Sequence, residues 1–232
     1  MKVIYALNES RSFTSIGDFS LLNDLEELKT IKEGVFVLPF STDAMNQGSY
    51  HHYIPYKSEV LKLEEKGISP YVYFDLASYS FYREAKQIIQ EGEDLRGVLR
   101  FRRTVISKED ISLLAGDLFV LNKLLGGYEE IFVKKTKPSD KVFHIIVLLK
   151  FKNGAMAHVE CTRTREERIE FEWSGLNDII EFDSNEMSPF RPGEYTAYPL
   201  VHSIEVLIQD AITLDSAEKK ELQNFERIIG GE

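Results

Sequence analysis

Cysteine occurs once in the 232 residues, as Cys161. That excludes an intramolecular disulfide framework and any metal centre built on several thiolates. Cys161 lies in the apolar run AHVECT, where an inert buried thiol is expected, because a nucleophilic cysteine needs an activating base or cation beside it. Basic residues are also scarce: 28 Lys and Arg stand against 38 Asp and Glu, a formal net charge of −10. Such a chain offers no concentrated cationic face to nucleic acid or to an anionic membrane. The one basic cluster, Arg100, Arg102 and Arg103, alternates with apolar residues like the solvated side of a strand. Long apolar runs are missing too. The stretch behind Met1 breaks at Asn8, Glu9 and Ser10, too short for a secretion signal or a span of roughly 20 residues, so a soluble, cytoplasmic protein is expected. Finally, no two glycines are separated by a single residue, so a G-x-G-x-x-G turn, which lets backbone approach a pyrophosphate, is absent.

What is present reads as one large or two small domains with enough apolar residues to bury a core. Val3–Leu7 and Val35–Pro39 are short apolar runs ended by turn residues, the pattern of buried strands. Leu21, Leu22, Leu25 and Leu28 recur at helical spacing between them, which is βαβ grammar and implies a parallel sheet. Residues 42–56 (TDAMNQGSYHHYIPY) show no period and read as an irregular loop. A helix over about Ser58–Lys66 ends at Gly67 and hands over to a strand at Tyr71–Phe74. Phe81, Tyr82, Ala85, Ile88 and Ile89 then mark a helix stopped by Gly92, followed by a strand over Val98–Val105. Leu114, Leu118, Leu121 and Leu125 stripe a further helix that stops at Gly126 and Gly127.

From there the pattern becomes five successive strands, Glu130–Lys135, Val142–Lys150, Ala155–Thr162, Ile169–Trp173 and Ile179–Phe182, joined by short turns and hence antiparallel. Two helices close the chain. One carries Val201, Ile204 and Ile208; the other carries Leu222, Phe225 and Ile229 behind a capping box from Asp215 to Glu218. No repeat, low-complexity tract or flexible linker interrupts this order.

The string KSEVLKLEEKGISPYVYFDLASYSFYREAKQIIQEGEDLRGVLRFRR resembles the middle of the glucose-fructose oxidoreductase and inositol dehydrogenase (Gfo/Idh/MocA) family. There, a helix ending in Gly, a strand, a helix of the type Y/F-R-x-A-K-x-I-I-x-x-G and a strand ending in Arg follow in that order. LFVLNKLLGGYEEIFVKK, VLLKFKNGAMAHVE and FEWSGLNDIIEFD continue the likeness, which runs from about Lys57 to Asp183. The resemblance implies an α/β fold: a truncated Rossmann-like part, residues 1–77, on a C-terminal domain, residues 78–232. The latter would hold a large, mostly antiparallel open sheet covered by helices on one face, with the final helices packing back on the N-terminal part. Val3–Asn8 is similar to the family's v-v-i-a-T-P-N strand. Val35–Val37 is similar either to its v-l-v-E-K-P strand or to an earlier one.

On that resemblance the catalytic lysine of the Glu-Lys-Pro element is replaced by Leu38, Pro39 and Phe40, and none of these donates a proton. The family's Asp and His, four residues apart, fall on Ser112 and Gly116. The glycine turn, the lysine and the Asp–His pair are therefore lost together. Tyr73, Asp75 and Tyr79 occupy the segment that faces the family's substrate cavity, without its arginine, and Asp117 lies beside the lost histidine. They are the candidate cavity-lining residues, with a solvated helical position the plainer expectation for Asp117. His51 and His52 are adjacent, so an extended chain points them apart. His144, His158 and His202 lie in apolar surroundings that suit partnered structural histidines. Tyrosines at 50, 53, 56, 71, 73, 79 and 82 could stack on a sugar or build core.

These readings predict a non-catalytic relative that binds a sugar-type small molecule or serves assembly, with no cofactor. The alternative is an NAD- or NADP-dependent oxidoreductase whose nucleotide half comes from another chain. A homo-oligomer through the C-terminal sheet is expected, since Val142–Leu149 is continuously apolar and suits a sheet covered on both faces, or else a hetero-oligomer with a full-length relative. A phosphate-bearing ligand ranks last, for want of a cradle. Residues 42–56 are expected to cover the sheet edge that a shortened parallel domain exposes.

Overall fold

The computed structural model describes residues 2–6, 12–22, 27, 33–39, 50–57, 59–60, 63, 69–92, 94–106, 111–136, 143–185 and 200–230. In chain order the first elements are β1 (Lys2–Ala6), β2 (Ser12–Thr14), β3 (Ser20–Leu21), β4 (Val35–Pro39), β5 (His51–Pro55) and β6 (Tyr71–Tyr73). Next come α1 (Ser80–Glu91), β7 (Gly97–Val105), α2 (Ile111–Leu125), β8 (Tyr128–Lys135), β9 (His144–Phe151) and β10 (Met156–Arg163). β11 (Arg168–Gly175), β12 (Ile179–Asp183), β13 (Val201–Ser203), α3 (Ile204–Asp210) and α4 (Ser216–Gly230) complete the series. They fall into two compact units, Met1–Ser80 with Leu200–Gln223 and Phe81–Pro199 with Asn224–Glu232.

The first unit is a five-stranded sheet in the order β3-β4-β1-β5-β6, with every pair parallel. Val3, Ile4 and Tyr5 are fully buried, as a strand covered on both faces must be, which is why β1 reads as a continuous apolar run. On one face Ile4, Ala6, Val37, Tyr53 and Tyr73 form a core with Ile204 and Leu207 of α3, and Phe13 and Phe19 pack against it. The strand order reverses at β1, with β4 on one side and β5 on the other.

Three expectations for this unit are corrected. Residues 51–55 are no loop and no edge cover but a strand paired to both β1 and β6. Its aromatic and histidine side chains hid the strand because both of its faces are enclosed, which removes the polar alternation. Residues 42–49 lie outside the described residues. Leu21 and Leu22 do not begin a helix: Ser20 and Leu21 pair with Phe36 and Val37, and the Leu22 amide donates to the Val37 carbonyl at 3.0 Å. Leu25 and Leu28, like most of the helix expected over Ser58–Lys66, lie outside the described residues. Val201 belongs to β13, which pairs in parallel with β2, and α3 starts only at Ile204.

The second unit holds a six-stranded sheet, β12-β11-β7-β10-β9-β8, antiparallel except where β7 meets β10. Period-two burial places Leu99, Phe101, Val147, Val159, Phe171 and Trp173 on one buried face. There Phe81 of α1 stacks on Phe182 with ring centres 3.7 Å apart, and the Tyr82 ring meets Phe171 edge-on. Within the chain β9 has one enclosed and one open face: Ile145, Val147 and Leu149 are buried, whereas Leu148 between them is 43% exposed. On that open face Arg100 and Arg102 do belong to a solvated row, paired with Glu172 at 2.8 Å and Glu170 at 3.2 Å across β7 and β11. Arg103 does not. It shares the buried face with Leu99, Phe101 and Val105.

The capping box of α4 forms as expected: Asp215 Oδ1 accepts the Ala217 and Glu218 amides at 2.8 Å, and Glu218 Oε2 accepts the Asp215 amide at 3.1 Å.

Gly97 shows how closely the sheet is packed. A Cβ there would lie 2.7 Å from the Ser174 carbonyl oxygen and 2.7 Å from the Trp173 ring. Gly97→Ala is therefore expected to lower stability by about 1–3 kcal/mol through overpacking, read as a fall in Tm in a thermal melt.

Candidate functional site

In an open parallel sheet, ligands are held outside the carboxyl ends of the strands, near the point where strand order reverses. The chain leaving β6 at that edge runs Phe74-Asp75-Leu76-Ala77-Ser78-Tyr79, with a single 3-10 turn over Leu76–Ser78. β13 brings His202 against this turn. The His202 Nδ1 lies 2.5 Å from Ser78 Oγ, and its Nε2 lies 3.2 Å from Asp75 Oδ1. Tyr79 donates its hydroxyl to Asp75 Oδ2 at 3.2 Å and stacks its ring on the imidazole, centres 4.6 Å apart. Phe13 packs on the imidazole as well. Tyr73 stands edge-on to His202 and donates its hydroxyl to the Tyr5 carbonyl at 2.6 Å.

Three of the four candidate cavity-lining residues, Tyr73, Asp75 and Tyr79, thus come together, with Ser78 and His202 as the partners that completed them. All five are buried. Ser78 also donates to the Asp75 carbonyl at 2.7 Å. A hydroxyl has one proton, and a carbonyl can only accept, so Nδ1 of His202 is left as the donor to Ser78. Nε2 faces the Asp75 carboxylate from the other side of the ring. The arrangement contains Asp, His and Ser, but its hydroxyl is committed to a main-chain carbonyl. It is built to hold β13 and α3 on the sheet.

Asp117, the fourth candidate, lies in the second unit and is not a solvated helical residue. It accepts a bidentate pair from Arg103, Nε to Oδ2 at 2.7 Å and Nη2 to Oδ1 at 2.9 Å, and Glu167 adds a contact to Arg103 at 3.3 Å. Both side chains of the pair are essentially inaccessible. Burial, and then the charge of Asp117, push the Tyr82 hydroxyl far above its ordinary range.

His51 and His52 point apart, as adjacent strand residues must. His52 is buried with Nδ1 3.1 Å from the Tyr5 hydroxyl. Burial first, and His51 second, hold its imidazole below the usual histidine value. Burial likewise raises Tyr5, so the phenol keeps its proton and the pair is a neutral hydrogen bond. His144 bonds Thr162 at 2.6 Å, and His158 lies 3.2 Å from Glu160. Among the described residues no group of three or more His, Cys, Asp or Glu is arranged to hold a metal ion. An open cleft of about 420 Å³ in the second unit is lined by Thr104, Thr164, Arg165, Glu166, Arg168 and Asn185. Its polar groups are largely engaged, since both threonine hydroxyls donate to the Glu166 carbonyl and Arg168 is clamped by Asp183.

No protein-family model matches the chain, and no curated protein matches it in sequence. Solved structures do. A probable dehydrogenase from Thermotoga maritima is 17% identical over 70% of this chain and 61% of its own, with a TM-score of 0.50. A dehydrogenase from Chromobacterium violaceum is 10% identical over 71% of this chain and 64% of its own, TM-score 0.52. The apo scyllo-inositol dehydrogenase from Lactobacillus casei is 13% identical over 100% of this chain and 88% of its own, TM-score 0.50. The fold is that of the Gfo/Idh/MocA-type dehydrogenases. The chain spans less than two thirds of the length of the first two.

Within this Gfo/Idh/MocA fold, the positions likened to catalytic ones hold Pro39, exposed at the end of β4, and Ser112 and Gly116, both buried on α2. None carries a group that titrates near neutrality. Residues 12–22, which leave β1, contain β2 and β3 and no helix. Residues 12–22 thus supply no helix N-terminus of the kind that receives a pyrophosphate.

Asp117 is expected to be a structural anion. Asp117→Ala, which removes the bidentate partner of the buried Arg103, should cost about 3–5 kcal/mol, whereas the double variant Arg103→Leu/Asp117→Leu should recover much of the loss. Urea unfolding of the three proteins checks this. A catalytic Asp117 would instead leave the single variant fully stable.

Proposed function

We propose that the chain is a non-catalytic protein on the Gfo/Idh/MocA fold, acting in assembly or in holding a sugar-type small molecule without redox chemistry. The carrying observation is that the chain closes its own parallel sheet: Ile204 and Leu207 of α3, with Phe13 and Phe19, fill the face beside β1. In a dinucleotide-binding sheet, the helix that follows the glycine turn packs on the sheet beside the first strand and points its N-terminus at the pyrophosphate beyond the strand ends. The Pro39, Ser112 and Gly116 positions support the same reading, since each lacks a proton-transfer group. The names of the similar structures, one of them a scyllo-inositol dehydrogenase, make a polyol or sugar the class of ligand to try first.

Assembly would use the open face of the six-stranded sheet. Phe132 (63% exposed) lies opposite Leu148 across β8 and β9, and Met156 (50%) of β10 lies diagonal to Leu148 on the same face. Next to them runs the charged row of Arg100, Glu172, Arg102 and Glu170. An apolar patch rimmed by paired charges suits burial against a second copy or a longer relative.

Two measurements test this. Calorimetric titration with NAD(H) and NADP(H) should give no heat and no change in reduced-cofactor fluorescence up to millimolar concentrations. Binding in the micromolar range would replace the proposal with an oxidoreductase that receives the missing half of its site from another chain. Light scattering should give a mass above that of one chain, and Phe132→Asp/Leu148→Asp should reduce it to one chain with the fold intact by circular dichroism. A wild-type monomer would remove the assembly role.

A further inference from the structure

Glu205 stands in the first turn of α3, and its carboxylate is held by the turn that follows β2. Oε1 accepts Ser15 Oγ at 2.5 Å, the Ile16 amide at 2.8 Å and the Gly17 amide at 3.4 Å. Oε2 accepts the Ser203 hydroxyl at 3.0 Å. Among the described residues no cation pairs with it. Its charge is met by hydroxyl and main-chain dipoles converging largely on one oxygen, which is how proteins hold oxyanions. The cradle opens outward at Gly17, where a Cβ would meet nothing within 4 Å.

We infer that the Ser15–Gly17 turn is a binding site for a small oxyanion, a carboxylate or phosphate group, and that Glu205 is its built-in occupant. Main-chain amides do not distinguish a glutamate from a free carboxylate, so an external anion of that class competes with Glu205 for the same donors. The occupant has the advantage of being tethered: it is delivered by β13, whose Val201–Ser203 pair with Ser12–Thr14. The donors, led by Ser15, lower the Glu205 carboxyl from its ordinary 4.5 to about 2. A depressed carboxyl stabilises the fold above the ordinary value, and that contribution is lost as pH falls from about 4.5 toward about 2.

The experiment is chemical rescue of Glu205→Ala. The variant should melt below the wild type. Formate or inorganic phosphate, at tens of millimolar and against chloride of matched ionic strength, should restore its Tm along a saturable curve. The wild type should not respond, because its cradle is full. Glu205→Gln should not respond either, because its amide still occupies the space, and Ser15→Ala/Glu205→Ala should respond more weakly. A Glu205→Ala variant as stable as the wild type, a loss that neither anion rescues, or equal rescue by chloride would each overturn the inference. Should Glu205→Ala fail to fold, the wild-type amide resonances of Ile16 and Gly17 decide. They must shift together on acidification, with a midpoint below that of an ordinary glutamate, and must stay still in Glu205→Gln.

Discussion

The first unit depends on a single constraint: β1 is enclosed on both faces and hydrogen-bonded on both edges, so every neighbour must be apolar or paired. β4 and β5 supply the edges. α3 and the phenylalanines at 13 and 19 supply one face. Residues 12–22 contain no helix, so the cover that Phe13 and Phe19 begin is completed by α3, far along the sequence. The polar groups follow from that choice. His202, Ser78, Asp75 and Tyr79 bond to one another because β13 must be anchored beside α3, and a buried polar group tolerates no missing partner. Glu205 likewise ties the loop after β2 to the helix that covers the sheet.

Much of the second unit was legible because its sheet has one enclosed face, which imposes period two, and its helices impose a period near 3.6. α1, α2 and the strands from β7 to β12 appear where those periods lie. Arg103 was also readable, though missed: counting in twos from Leu99 through Phe101 and on to Val105 puts it on the buried face, and Asp117 on a helix of apolar neighbours is its natural complement. The first unit was harder. β5 is enclosed on both sides, so HHYIP carries no alternation and its histidines disguise it as a loop. β13 is only a few residues long and runs straight into α3, so Val201 looks like one more helical position.

The candidate site was partly visible. Tyr73, Asp75 and Tyr79 lie within one short stretch, and the family likeness pointed to it. Ser78 and His202 had no signal that joined them, because the bond between them spans 124 residues. What the sequence suggested as a cavity lining is, in three dimensions, an inward-facing knot of hydrogen bonds. A fold whose neighbours are dehydrogenases can therefore keep an edge rich in ionisable side chains while spending those side chains on its own cohesion.

The strand pair β2–β13 also shapes how the protein is made. Its partners are almost as far apart as the chain allows, with Ser15 and Glu205 separated by 190 positions. A ribosome delivers residues from the N-terminus onward, so β1, β4, β5 and β6 exist well before the helix that covers them. The second unit has most of its residues, Phe81–Pro199, in one continuous stretch and can collapse in the interval, whereas the first must wait with an apolar sheet face uncovered. Closing so long a loop is slow rather than costly, since its entropy grows only with the logarithm of length. The burden of this architecture falls on the nascent chain, which needs shelter for that face until residues 200–211 emerge.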